Sequence, residues 1–88
     1  ISGEAADLTA KMLKKMSTNV QIISISHLPQ IAAKASTHYF VEKSGESETT
    51  VTQLNEEERV TAIARMLSGS TLSDAAIQNA QALLSEES

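Results

Sequence analysis

Hydrophobic spacing divides the chain into segments of two different periods. Between residues 4 and 16, Leu8, Met12 and Met16 recur every four positions, and Ala5 and Leu13 widen the stripe. That spacing predicts a helix from near Glu4 to about Met16 with one apolar face. Glu4 in its first turn and Lys14 and Lys15 in its last agree with the helix dipole, and Asp7 and Lys11 stand one turn apart as a supporting pair. Ser17-Thr18-Asn19 ends this helix. The next run, Val20 to Ser26, carries β-branched residues on both alternating faces, Val20 and Ile22 on one and Ile23 and Ile25 on the other. It predicts a strand of a parallel sheet covered by helices on both sides. Helix, turn and buried strand make half of a β–α–β unit whose preceding strand is missing. A lone strand of this kind needs parallel neighbours to bury both faces.

Polarity rises at Ser24, Ser26 and His27, and Leu28-Pro29 then predicts a helix start, because proline is tolerated where an N–H has no helical partner. The short helix runs through Ile31, Ala32, Ala33 and Ala35, and Ser36-Thr37 breaks it. His38–Val41 and Thr49–Leu54 read as two strands joined by turn residues at Ser44–Ser47, a β-hairpin. The alternation of Thr50 and Thr52 predicts a sheet edge with one wet side. Asn55 and Glu58 have the spacing of a capping box, and Val60, Ile63, Ala64 and Leu67 form the stripe of the helix that follows, which Gly69 stops. Ser73 is expected to cap a last helix, with Leu72 and Ile77 spaced as a hydrophobic staple. Ile77, Ala80, Leu83 and Leu84 would form its apolar face, and the tail Ser85–Ser88 is expected to fray. There is no internal repeat and no low-complexity segment.

Composition narrows this picture. The 88 residues are 41% hydrophobic but only 2% aromatic, so a core must be built from aliphatic side chains. A domain this short buries about 60–65% of its unfolded surface, which leaves modest stability. The chain opens on Ile1 rather than methionine and reads as one unit, residues 1–88, of a longer protein. A net charge of −4 argues against this segment as the main nucleic-acid or membrane contact. Lys11, Lys14 and Lys15 form the one local basic cluster, and spread along a solvated helix face. Absence of cysteine excludes disulfides and Cys-based metal or redox sites, and is compatible with an intracellular protein. No run approaches the roughly 20 apolar residues of a membrane span.

Candidate chemistry is sparse. The sequence has no Gly-rich phosphate loop, no GxGxxG and no GxSxG elbow. No metal site is expected, since His27 and His38 fall on different elements. Glu56, Glu57 and Glu58 are accounted for by the positive end of a helix dipole. His38, inside a strand, reads as packed or half-exposed. His27 alone has a context suggestive of function: carboxyl ends of strands are where ligands bind in open α/β sheets, and a helix start beside a titratable group favours an anion. The same position also suits a polar residue that merely closes a turn.

Ser26-His27-Leu28-Pro29-Gln30-Ile31-Ala32-Ala33, preceded by Val20–Ile25, resembles the switch-histidine segment of ABC-type ATPase heads. The likeness is strongest to the RecN family of SMC-like bacterial DNA-repair proteins. Ile1-Ser2-Gly3-Glu4-Ala5-Ala6 resembles the end of that family's D-loop, just after its Walker B acidic residues. Glu56-Glu57-Glu58-Arg59-Val60 and Ile63-Ala64-Arg65-Met66-Leu67-Ser68-Gly69 resemble the segment near its C-terminus. The likeness implies an α/β fragment of a P-loop ABC-type head, with a parallel-sheet strand, an edge hairpin and flanking helices. It implies a parent ATPase in DNA double-strand-break repair and recombination, cytoplasmic and nucleoid-associated, using ATP and Mg2+. Two heads of a homodimer would sandwich the nucleotide, and no membrane is involved. By the same resemblance His27 would contact the γ-phosphate and attacking water, while Ser2, Gly3 and Glu4 would lie in the loop crossing the head–head interface. Gly3 would let the backbone approach its partner, although a simple turn explains it equally. Phosphate loop, signature motif and Walker B Asp and Glu are missing, so the chain by itself is expected neither to bind ATP tightly nor to hydrolyse it. The alternatives are another ABC- or SMC-type head, a transporter's included, or a non-catalytic protein-interaction module in which His27 packs.

Overall fold

Ser2 starts the first helix. Its hydroxyl accepts from the Ala5 amide at 3.1 Å, satisfying one of the donors that a helix start leaves unpaired. Helix α1 then covers Gly3–Met16, with Glu4 in its first turn and Lys14 and Lys15 in its last. The Lys11–Asp7 pair expected from spacing forms at 3.0 Å. The computed structural model describes residues 2–69 and 71–86. Three further helices and two strands follow in the order α2 (Pro29–Lys34), β1 (Tyr39–Ser44), β2 (Glu48–Gln53), α3 (Glu56–Ser68) and α4 (Asp74–Ser85). The expected fraying of the tail concerns Glu87 and Ser88, which lie outside the described residues; Ser85 still belongs to α4 and Glu86 is its C-cap.

Caps set the limits of the two C-terminal helices. Asn55 Oδ1 accepts from the Glu58 amide at 2.8 Å while the Asn55 amide donates to Glu58 Oε1 at 2.9 Å. This is a complete capping box, of the kind worth about 1 kcal/mol. Gly69 ends α3 with φ 77°, a conformation in which a side chain would be strained. Ser73 Oγ accepts from the Ala76 amide at 3.1 Å and starts α4. Helices α3 and α4 pack on each other, and α2 lies against both. Their shared core is Ala33, Ile63, Ala64, Ala76 and Ala80, bordered by partly buried Val60, Ile77, Leu83 and Leu84. Among helices α1 touches α2 alone.

Three expectations give way here. No strand forms over 20–26; the sheet among the described residues is the antiparallel pair β1–β2. A strand requires a hydrogen-bonded neighbour, and this chain offers none beside that run, which leaves Ile23 86% and Ile25 101% exposed. The stripe Leu8, Met12 and Met16 also faces outward, while Ala6 and Ala10 are the buried residues of α1. Position 8 lies about 200° round the helix from position 6, so α1 has two apolar sides and its small-residue side is the one facing inward. The hairpin, finally, has no dry side. Its register pairs Val41 with Val51 and Glu42 with Thr50, and every one of its strand positions is exposed.

Exposed area shows how far this leaves the fold from self-sufficiency. The chain presents 6451 Å² to solvent at a mass of 9.4 kDa. A self-contained monomer of that mass presents about 5,000 Å². Large apolar side chains exposed on α1 (Leu8, Met12, Met16), the 20–25 run (Val20, Ile23, Ile25) and the hairpin (Tyr39, Phe40, Val41, Val51) contribute to it.

Candidate functional site

His27 sits at a corner made by its neighbours. The Leu28 amide donates to Ser26 Oγ at 2.9 Å, bridging over the histidine. Leu28 is then the N-cap of α2 and Pro29 its first residue, as the sequence predicts. The Leu28 carbonyl accepts from the Ile31 and Ala32 amides, both at 3.1 Å. His27 itself is exposed, on a bend stiffened on either side.

Ser2, Gly3 and Glu4 start α1, the helix that packs on α2. A Cβ placed on Gly3 would meet Gln30 Nε2 at 3.6 Å, an ordinary van der Waals distance. No close backbone approach inside this chain therefore demands glycine there. Ser2 has a local task as the cap of α1, and Glu4 is exposed. Ile1 lies outside the described residues. The structure thus brings Gln30 in the first turn of α2 beside Gly3, and gives His27 no contact with the first residues of α1.

Arg59 went unremarked as an individual residue in the sequence and is the one buried charged side chain among the described residues, 6% exposed. Its Nη2 donates to the carbonyls of Ala35 at 2.8 Å, Ala32 at 3.2 Å and Ala33 at 3.5 Å. These are groups at the C-terminal end of α2, where orphan carbonyls and the negative end of the helix dipole favour a cation. Glu56 Oε1 stands 3.7 Å from Nη1 but is well exposed, so it contributes little. The signal available in the sequence was an arginine spaced one turn before Ile63 on the apolar side of an otherwise acidic helix start.

His38 lies beside this group, half-buried, with Nδ1 unpartnered. Burial, and secondly the Arg59 charge, hold its pKa below the ordinary 6.5. A histidine depressed in the folded state binds protons more readily once unfolded. The resulting penalty is absent above about pH 6.5 and grows as pH falls below it. Thermal unfolding between pH 7.5 and 5 is expected to show a midpoint that drops on acidification, and His38→Gln should flatten that drop. An unchanged slope in the variant would remove His38 as its source.

Among the described residues no group of three His, Cys, Asp or Glu has the arrangement of a metal site. Glu56, Glu57 and Glu58 occupy the first turn of α3, with Glu58 closing the capping box. No described helix is long and apolar enough to cross a membrane.

Fold and site together define a class: a small α/β chain of helices and one antiparallel hairpin, with large apolar side chains exposed. Comparison of sequences narrows it. The chain is 45% identical over 87 residues to the DNA repair protein RecN of Rickettsia conorii, and 39% and 36% identical over the same length to those of Haemophilus influenzae and Vibrio cholerae. Each match takes in 96% of this chain and 16% of the relative, so the chain spans about a sixth of the length of the curated relatives it matches. Its sequence is RecN-like along nearly its whole length, which bears out the resemblance read from its motifs. No family model matches it.

Proposed function

We propose that this chain is the C-terminal portion of the ATPase head of a DNA repair protein, and that His27 is its switch histidine. The observation that carries this reading is the likeness to proteins named DNA repair protein RecN over 96% of the chain. The parent is an SMC-like ATPase of double-strand-break repair and recombination, working in the cytoplasm as a homodimer on ATP and Mg2+. DNA is contacted elsewhere in the parent, because this segment carries a net charge of −4.

In this reading the run 20–26 becomes a strand when the rest of the head supplies parallel neighbours, and the exposed Leu8, Met12 and Met16 are covered with it. His27 then ends a strand and precedes α2, held by the Ser26 bridge, where it donates to the γ-phosphate as charge develops on the transferring group. A preoriented donor at such a point stabilises the transition state and not the bound ground state. Ser2, Gly3 and Glu4 lie near the head–head interface. ATP and Mg2+, when bound, supply the phosphoryl group and its neutralising charge; their remaining ligands belong to chain outside this segment.

In the full-length parent, His27→Ala is expected to lower ATP turnover by about 10²- to 10³-fold and to leave nucleotide binding within a few-fold. Turnover measured at saturating ATP, beside equilibrium binding of ATP, checks this. Full turnover in the variant would remove His27 from the mechanism.

A further inference from the structure

We infer that Arg59 is a positioning residue for His27, acting through α2; this rests on His27 having the role proposed above. Helix α2 has six residues, fewer than a helix needs to persist unaided. Its order must come from outside, and only Ala33 of it is buried. A continuous set of hydrogen bonds joins its two ends to the histidine's corner. Ser26 Oγ accepts from the Leu28 amide, the Leu28 carbonyl accepts from the Ala32 amide, and the Ala32 carbonyl accepts from Arg59 Nη2. The same nitrogen donates to Ala35, which closes the helix.

Arg59 therefore pegs α2 to the α3–α4 pair, and the angle at which α2 leaves that peg sets where His27 points. The planar guanidinium suits this task because the Nη2 end is held in a fixed orientation against the carbonyls, whereas an ammonium on a flexible stem is less preorganised. A donor displaced by about 1 Å from its reacting group costs up to roughly 10²-fold in rate. Loss of the peg should accordingly be felt in the chemical step and not in nucleotide affinity.

The test is a cycle of variants in the full-length parent: His27→Ala, Arg59→Gln, Arg59→Lys and both doubles. Arg59→Gln is expected to lower kcat between tenfold and a hundredfold with KM for ATP unchanged, and Arg59→Lys to recover part of the loss. In the His27→Ala background neither Arg59 change should lower kcat further, since the group it positions is gone. A fall that is undiminished in that background, or a loss expressed in KM, would make Arg59 a general structural residue and overturn the inference. So would full kcat in both Arg59 variants while His27→Ala is impaired. If Arg59→Gln does not fold, Arg59→Lys carries the cycle with the same criteria. Full turnover in His27→Ala alone would instead refute the reading on which this one rests.

Discussion

Replacing Arg59 by alanine is expected to destabilise this chain by about 2–4 kcal/mol, the largest effect of any polar substitution in it. The change takes the guanidinium donor from the carbonyls of Ala33 and Ala35 and leaves that of Ala32 with the Ala35 amide alone, in surroundings that are buried or partly so. Hydrogen bonds to a charged group are worth about 1.5–3 kcal/mol, and an orphaned buried acceptor adds its own desolvation cost. It also removes the cation that complements α2's negative end. Exposed lysines such as Lys15 make an instructive control, since a solvated charge at the end of α1 contributes only a few tenths of that. Urea unfolding of the two alanine variants measures the difference. Amide exchange across 31–35 should accelerate in Arg59→Ala before the rest of the chain does, because α2 loses its tether first. A midpoint equal to that of Lys15→Ala would show that the buried guanidinium only balances its own desolvation.

Ile63→Ala is the second large effect, expected at about 2–5 kcal/mol. Ile63 is 0% exposed and is, among the described residues, the one large side chain fully buried; the residues around it in the cluster are Ala33, Ala64, Ala76 and Ala80. Alanines cannot swing into a cavity, so the space left by the isoleucine closes only if Val60, Ile77 or Leu83 shift inward. Those three are partly buried at the border and have freedom to do so, which favours the lower half of the range. Domains of this size are stable by about 4–13 kcal/mol at most, and the excess exposed area puts this one toward the low end. The variant should therefore be substantially unfolded in dilute denaturant, and Ile63→Val, at about 0.5–1.5 kcal/mol, should not. Equal midpoints for the two would mean the core collapses around the smaller side chain.

Much of the helical architecture was legible because its causes are local. Asn55 with Glu58, Ser73, Gly69 and Pro29 act within a few residues of themselves, and each cap or start lies where its chemistry put it. The hairpin was legible for the same reason, from the turn residues Ser44–Ser47 between two strand-type runs, and Gly45 takes φ 76° there. His27 was legible as a polar residue between an apolar run and a proline. Arg59 was not, because its partners are more than 20 positions away and an arginine near the start of an acidic helix looks like any solvated charge.

The sequence by itself determined which stretches are helical, where they start and stop, and that a hairpin lies between α2 and α3. It also carried the RecN likeness. Only the tertiary structure decided which side of α1 is inward, that Arg59 ties α2 to α3, and that the 20–26 run stays unpaired in this chain. The physical reason is common to all three. Helix caps and periods are set by neighbours along the backbone, whereas burial and strand pairing depend on what stands opposite, and among the described residues Ile23, Ile25, Leu8 and Met12 stay exposed.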